Sequence, residues 1–112
     1  MYSNNTTFTI YPYDNIPVVG VTFDNRQDVV RQLSEGECLW LVRQPDNAYD
    51  HNAIQVQRSE GDAIGFLARG LASSLAPYLD RLEYPIPATV AYILGGDVLG
   101  VRINFTLPVY EY

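Results

Sequence analysis

Hydrophobic and polar residues alternate in short runs along most of the chain, which is the pattern of half-buried β-strands. In residues 101–107, apolar side chains stand at every odd position and polar side chains at every even one. Comparable strand-like runs are TTFTIY, VVGVTF (18–23), CLWLVR (38–43), AIQVQR (53–58), IGFLA (64–68) and the segment before the Gly95-Gly96-Asp97 turn. Counted together, these runs predict about six strands joined by short turns.

Two other segments repeat apolar residues at helical spacing. In DNRQDVVRQLSEGE, apolar residues at 29, 30 and 33 predict a short helix, with Asp24 or Asn25 as its cap and Gly36 at its stop. In RGLASSLAPYLDRL (69–82), leucines at 71, 75 and 79 form one apolar stripe. Pro77 lies inside this segment and predicts a kink, or a break near Ala76, because proline removes a helix hydrogen bond.

The element count predicts a mainly β (α+β) fold, a small six-stranded OB-like or SH3-like β-barrel with one or two short helices. Closing such a sheet would hide the strand edges from other chains. We divide the chain into residues 1–16, a loosely ordered segment or an edge strand limited by Pro12, and a barrel domain at residues 17–110.

Composition supports a single domain with its own core, since 47% of the 112 residues are hydrophobic and 18% are charged. The net charge is −6, and all seven basic residues are arginines. An acidic domain is a poor non-specific binder of nucleic acid, because phosphate contacts need clustered positive charge. The balance still permits a small pocket that captures one nucleotide or one chain end.

The single cysteine, Cys38, lies in the apolar run CLWLV and is predicted to be a buried small hydrophobe rather than a nucleophile. One cysteine, no leader sequence and no apolar run near 18 residues predict a soluble, cytoplasmic protein that does not contact membranes.

The segment QPDNAYDHNAIQV (44–56) concentrates the candidate chemistry in one connection. Asp46, Asn47 and Asn52 are expected to cap their own backbone in a turn. Asp50 has two interpretations. As an acceptor-only carboxylate it could receive a hydrogen bond from a sugar hydroxyl and repel a terminal phosphate, or it could tie the loop to backbone amides. His51 lacks the partners of a known metal pattern, and no motif predicts catalysis.

Three segments, VVGVTF, LWLVRQPDNAYDHNAIQVQ and AIGFLARGLASSLAPYLD, together resemble the HIRAN domain family in its stand-alone bacterial form. The specific part is Y-D-x-N-A-I-x-V followed by I-G-x-L, and the match covers about residues 17–82. The resemblance implies a six-stranded OB-like barrel with a DNA-linked role. HIRAN domains occur fused to helicase-like ATPases of replication-fork repair, and as separate bacterial proteins.

The resemblance also implies a site, since the best-understood HIRAN domains grip the 3′ end of single-stranded DNA through an aspartate and stacking aromatic rings. Thr22 stands where these DNA-end binders carry a basic residue, and Phe66 replaces a more polar one. Arg43 has a second interpretation, a salt bridge or backbone clamp with Asp46 or Asp50. The candidate DNA-binding residues are Phe23, Arg43, Tyr49, Asp50, Phe66 and Arg69.

We therefore expect a non-enzymatic module without a cofactor or metal that recognises single-stranded DNA 3′ ends in DNA repair or replication-fork processing. Its partners would be the DNA end and a helicase or nuclease protein. The alternative is a protein–protein interaction module that retains the barrel without binding DNA. The acidic charge and Thr22 favour that alternative, as do the tyrosines at 2, 11, 13, 110 and 112. A small hydrolase is the third and weakest hypothesis.

Overall fold

The computed structural model describes residues 7–82 and 85–111, and within these ranges it describes side chains from residue 9 to residue 108. The described residues form six strands and two helices, which confirms the predicted fold class. In chain order the elements are β1 (Thr7–Val19), α1 (Arg26–Val30), β2 (Cys38–Arg43), β3 (Ile54–Arg58), β4 (Ala63–Leu67), α2 (Arg69–Leu82), β5 (Ile86–Gly95) and β6 (Leu99–Glu111).

The six strands close into one antiparallel barrel in the order β1-β4-β3-β2-β5-β6. The alternation predicted for β6 is confirmed, because its odd residues from Val101 to Leu107 are at most 4% exposed. Buried residues of the other five strands belong to the same hydrophobic cluster inside the barrel. Helix α2 adds Ala72, Leu75 and Leu79 to the same hydrophobic cluster.

The break predicted near Ala76 is wrong, since α2 runs through Pro77 from Arg69 to Leu82, and the alternative of a kink stays a prediction. Pro77 itself is exposed, whereas Leu75, Ala76 and Leu79 on either side of it are buried. Proline forfeits one backbone hydrogen bond, but the buried stripe on both sides keeps the helix against the barrel. Tertiary packing here outweighs local propensity.

The prediction of a buried Cys38 is wrong, because this residue is exposed. In β2, Leu39 and Leu41 point into the core while Cys38 and Trp40 lie on the outer face. The run CLWLV has no polar residue to mark its outer face, so composition alone could not show which positions face solvent.

The predicted strand at residues 18–23 is too long, since β1 ends at Val19 and a turn begins at Gly20. Gly20 has a φ of 71°, a conformation that glycine adopts without steric cost. Asn25 stands at the cap position of α1 as predicted, but its side chain makes no capping hydrogen bond. Instead, the Asp28 amide donates to the Asn25 carbonyl oxygen at 3.0 Å.

Strand β1 runs without interruption through residue 17, so the predicted domain boundary does not coincide with the end of an element. It pairs with β6 from Thr7 to Pro17, with one irregularity between Tyr13 and Ile16. Residues 1–6, where part of the loose segment was expected, lie outside the described residues. Neither helix in the described part of the chain is long and apolar enough to cross a membrane.

Barrel closure depends on a close approach between β1 and β4. Within the described residues, these strands pair at Val18 with Leu67 and at Val19 with Phe66. A Cβ at Gly65 would collide with the Val19 carbonyl oxygen and would lie 2.6 Å from Val18 Cγ1. The absence of a side chain at Gly65 therefore lets the two strands meet.

We predict that Gly65→Ala lowers the free energy of unfolding by about 1–3 kcal/mol, because overpacking pushes β1 away from β4. Urea unfolding followed by circular dichroism measures this change. Gly70→Ala is the matched control, since no atom lies within 4 Å of the added Cβ and alanine favours a helix. Equal stability of Gly65→Ala and the wild type would contradict the proposed constraint.

A candidate nucleic-acid interface

An open cleft of about 670 Å³ lies beside the seam between β1 and β4. Three segments line it, from residues 19–26, 47–53 and 66–69. These are the end of β1 with the loop after it, the loop between β2 and β3, and the end of β4 with the start of α2. The structure thus brings five of the six sequence-predicted site residues to one cleft: Phe23, Tyr49, Asp50, Phe66 and Arg69.

The loop between β2 and β3 is held by its own polar residues. Asn47 Oδ1 accepts hydrogen bonds from the Tyr49 and Asp50 amides at 2.9 and 3.1 Å. Asp50 Oδ1 accepts the Asn52 amide at 2.9 Å, and the Ala53 amide donates to the Asp50 carbonyl at 3.1 Å. The capping role predicted for Asn47 is confirmed, while at Asn52 the neighbouring carboxylate of Asp50 does the capping.

The interpretation of Asp50 as a tie between its loop and a backbone amide is confirmed, and the sugar-hydroxyl interpretation stays a prediction. One carboxylate oxygen is bound to the Asn52 amide. The other, Oδ2, lies 3.5 Å from Arg69 Nε at the cleft, and the Asp50 side chain is 21% exposed. Asp50 therefore fixes the loop through one oxygen and leaves the second beside an exposed guanidinium.

Three aromatic rings line the cleft. Phe23 is 65% exposed and Tyr49 is 89% exposed. Phe66 is half-buried, and the Arg26 guanidinium carbon lies 5.1 Å from its ring centroid. Large exposed rings beside a cleft are suited to stacking on a planar ligand.

The loop between β1 and α1 presents Phe23 on a hydrogen-bonded frame. The Phe23 amide donates to the Gly20 carbonyl at 3.4 Å, and the Arg26 amide donates to the Phe23 carbonyl at 3.0 Å. Gln27 Nε2 donates to the carbonyls of Val21 and Leu99 at 2.9 Å each. Gln27 therefore ties the loop to β6, which limits the movement of the exposed ring.

Arg26 is a cleft residue that the sequence analysis missed. Its Nη1 donates to the Gly20 carbonyl at 2.7 Å, and its side chain is only 13% exposed. Its position in the sequence could have identified it, because this arginine lies three residues after the candidate ring Phe23, at the start of a predicted short helix. The family comparison drew attention to Thr22 instead, where the expected positive charge is absent.

The charges lining the cleft balance formally. Two arginines, Arg26 and Arg69, face two aspartates, Asp24 and Asp50. Arg69 Nη2 also donates to the Tyr49 carbonyl at 2.6 Å, which joins α2 to the loop between β2 and β3. The cleft is thus formally neutral in a protein of net charge −6, so it repels an anion less than the rest of the surface does.

Arg43, the sixth predicted site residue, does not line the cleft. Its Nε donates to Asp80 Oδ1 at 2.8 Å, and its Nη1 donates to the carbonyls of His51 and Ala53 at 3.1 and 2.9 Å. The predicted clamp thus exists, but its acid is Asp80 of α2 rather than Asp46 or Asp50. We leave Arg43 out of the proposed ligand contacts for this reason.

In the part of the chain that the structure describes, no group of three or more His, Cys, Asp or Glu side chains is placed to hold a metal ion. His51 is exposed on the loop between β2 and β3.

The chain is similar in sequence to known HIRAN domains and to parts of larger proteins. A sequence model of the HIRAN domain matches residues 15–110. The Helicase-like transcription factor of Oryctolagus cuniculus is 34% identical over 76 residues, which are 68% of this chain and 7% of that protein. The Fanconi-associated nuclease 1 homolog of Arabidopsis thaliana is 29% identical over 76 residues, 68% of this chain and 8% of that protein. The chain thus spans under a tenth of these relatives' length.

A solved structure confirms the fold. The crystal structure of the HIRAN domain of human HLTF superposes with a TM-score of 0.68, covering 92% of this chain and 78% of that one at 24% sequence identity.

We predict that Arg43→Gln lowers the free energy of unfolding by about 1–3 kcal/mol, because the His51 carbonyl and the Asp80 carboxylate lose their donor and the Ala53 carbonyl keeps only the Gln44 amide. Asp80→Asn is the control and should cost less than about 1 kcal/mol, since Asp80 is 56% exposed and Arg43 keeps both carbonyls. Chemical denaturation of both variants measures the difference. Equal losses would show that the ion pair, rather than the carbonyl clamp, holds the loop.

Proposed function

The chain belongs to the HIRAN domain family, and on that premise we propose that it is a nucleic-acid-binding module whose cleft holds the 3′ end of single-stranded DNA. The observation that carries the proposal is the convergence of Phe23, Tyr49, Asp50, Phe66 and Arg69 at one cleft. These residues come from three separate segments of the chain.

Stacking would supply most of the affinity. Phe23 and Tyr49 offer exposed rings at the cleft, and a base stacked on an aromatic ring contributes about 1–3 kcal/mol. Because every base has a planar face, such binding tolerates different sequences. The OB-like barrel commonly uses this mode for single strands.

Asp50 would select the type of end. The cleft-side oxygen of its carboxylate can accept a hydrogen bond from a terminal sugar hydroxyl, and a terminal phosphate lacks that donor and carries repelling charge. Arg69 lies beside Asp50 and is 75% exposed, so it can reach the phosphate that precedes the last nucleotide. The pair would thus accept a free 3′ end and disfavour a phosphorylated one.

The relatives' names suggest the context in which the module works. One is a helicase-like factor and another is a nuclease homolog, and each contains far more chain than the matched part. We propose that this chain acts with a helicase or nuclease in DNA repair or replication-fork processing. Its own role would be binding without catalysis.

A second candidate is a protein–protein interaction module. Ile10 and Tyr11 of β1 are 57% and 46% exposed, in the part of β1 that pairs with the far end of β6. Tyrosine is enriched at interfaces, and this surface lies on residues that do not line the cleft. Binding through β1 rather than the cleft would favour this candidate.

We predict that the wild-type protein binds a short single strand with a 3′ hydroxyl about tenfold more tightly than the same strand with a 3′ phosphate, because of one charge-assisted hydrogen bond. Asp50→Asn should remove most of this preference while its amide oxygen can still accept the Asn52 amide. Fluorescence anisotropy with both oligonucleotides measures the ratio. A ratio near one in the wild type would contradict end selection.

We predict that Tyr49→Ala weakens binding of the 3′-hydroxyl strand by about 5- to 150-fold, the cost of one lost stacking contact. The melting temperature should stay near the wild-type value, because this ring is 89% exposed. Tyr11→Ala is the matched control, an exposed tyrosine outside the cleft, and should leave affinity unchanged. If Tyr11→Ala weakened binding as much as Tyr49→Ala, the ligand would not be held in the cleft.

A further inference from the structure

We propose that Arg26 is a phosphate-binding residue of the cleft, and that Asp24 is an internal competitor which occupies the guanidinium until a strand phosphate displaces it. The proposal rests on the function proposed above and adds to it a residue pair outside the family's matched motifs. It also identifies a source of positive charge at the cleft four residues after Thr22, which is itself uncharged.

The Arg26 guanidinium is fixed before any ligand arrives. Its Nη1 is anchored to the Gly20 carbonyl at 2.7 Å, and its carbon lies 5.1 Å from the centroid of the Phe66 ring. The side chain is 13% exposed, so most of its length is packed. A rigid planar fork of this kind loses little freedom when it binds an anion, which favours phosphate recognition.

The contact with Asp24 is the longer of the two side-chain hydrogen bonds that the Arg26 guanidinium makes. Asp24 Oδ2 lies 3.4 Å from Arg26 Nη2, and the Asp24 side chain is 84% exposed. An exposed ion pair at this distance contributes little to stability, because water and salt screen it. Asp24 can therefore leave while the Gly20 and Phe66 contacts keep the guanidinium in place.

The position that Asp24 occupies suits a phosphate oxygen. Nη2 donates toward a carboxylate oxygen at the cleft, so an anionic acceptor is already accommodated there. A phosphodiester also carries one negative charge and accepts hydrogen bonds from a guanidinium through its oxygens. The other cleft cation, Arg69, is already engaged by the Tyr49 carbonyl and lies near Asp50, so Arg26 is the cation whose anionic partner can leave most easily.

The exchange predicts a salt dependence with a known slope. Each phosphate neutralised on a single strand contributes about −0.7 to the slope of log affinity against log salt. Contacts from both Arg26 and Arg69 give a wild-type slope of about −1.4, and Arg26→Gln should reduce it to about −0.7. Arg26→Lys keeps the charge and should keep the steeper slope. Anisotropy titrations of a 3′-hydroxyl oligothymidine at several salt concentrations measure all three slopes.

Removing the competitor should strengthen binding. Asp24→Asn should raise affinity about threefold, the size expected for one exposed competing ion pair. Asparagine also tolerates the left-handed backbone of residue 24, where φ is 54°. Asp28→Asn is the matched control. It removes the same charge from an exposed residue of α1 that does not line the cleft, and it should raise affinity less than about 1.5-fold.

A double-mutant comparison tests whether the gain passes through Arg26. In the Arg26→Gln protein, Asp24→Asn should improve binding no more than Asp28→Asn does. If Asp24→Asn keeps its full threefold gain there, or never exceeds Asp28→Asn in the wild-type background, the proposed competition is wrong. Should Arg26→Gln fail to fold, the comparison of Asp24→Asn with Asp28→Asn in the wild-type background decides alone.

The outcomes separate this inference from the proposed function. If no variant binds the oligothymidine at low salt, the DNA-binding function itself is wrong. If the wild type binds with an Asp50-dependent 3′-hydroxyl preference but Arg26→Gln leaves the slope at the wild-type value, only the role of Arg26 is overturned.

Discussion

The close approach of β1 and β4 at Gly65 is the constraint on which the cleft depends. Two residue pairs close the barrel there, and a single added Cβ would strike the backbone of Val19. The chain leaves β1 directly into Gly20 and leaves β4 directly into the start of α2. The loop carrying Phe23 and the segment carrying Phe66 and Arg69 therefore lie side by side because the strands before them are paired.

The third wall of the cleft is held by different means. The loop between β2 and β3 has no strand partner, and its shape comes from short side-chain-to-backbone hydrogen bonds made by Asn47 and Asp50. Arg43 stabilises this loop by donating hydrogen bonds to the carbonyls of His51 and Ala53. Arg69 joins the loop to α2 by donating to the Tyr49 carbonyl. A polar loop of this kind can hold an exposed ring and a carboxylate in fixed positions, which a binding site needs.

The sequence predicted the fold because strand alternation and turn residues act locally, whereas the candidate residues that line the cleft came from the resemblance to the HIRAN family. The clean alternation of β6 and the boundaries of β2 and α2 follow from patterns within a few residues. Four features depend on tertiary contacts instead: the exposure of Cys38, the continuity of α2 at Pro77, the position of Arg26 at the cleft, and the acidic partner of Arg43. Whether Cys38 faces out depends on what covers β2, α2 survives Pro77 because its stripe is buried, and Arg26 reaches Phe66 across forty residues of chain. No local pattern carries that information.

The central claim is that one cleft beside the β1–β4 seam receives the strand end, and a chemical-shift titration tests it most directly. Two-dimensional ¹H–¹⁵N spectra of the labelled protein with a short 3′-hydroxyl single strand report on each backbone amide. We expect shifts concentrated at residues 20–26, 47–53 and 66–69, with little change at the exposed part of β1 around Tyr11. Shifts centred on β1 around Tyr11, or on the outer face of β2 around Trp40, would contradict it.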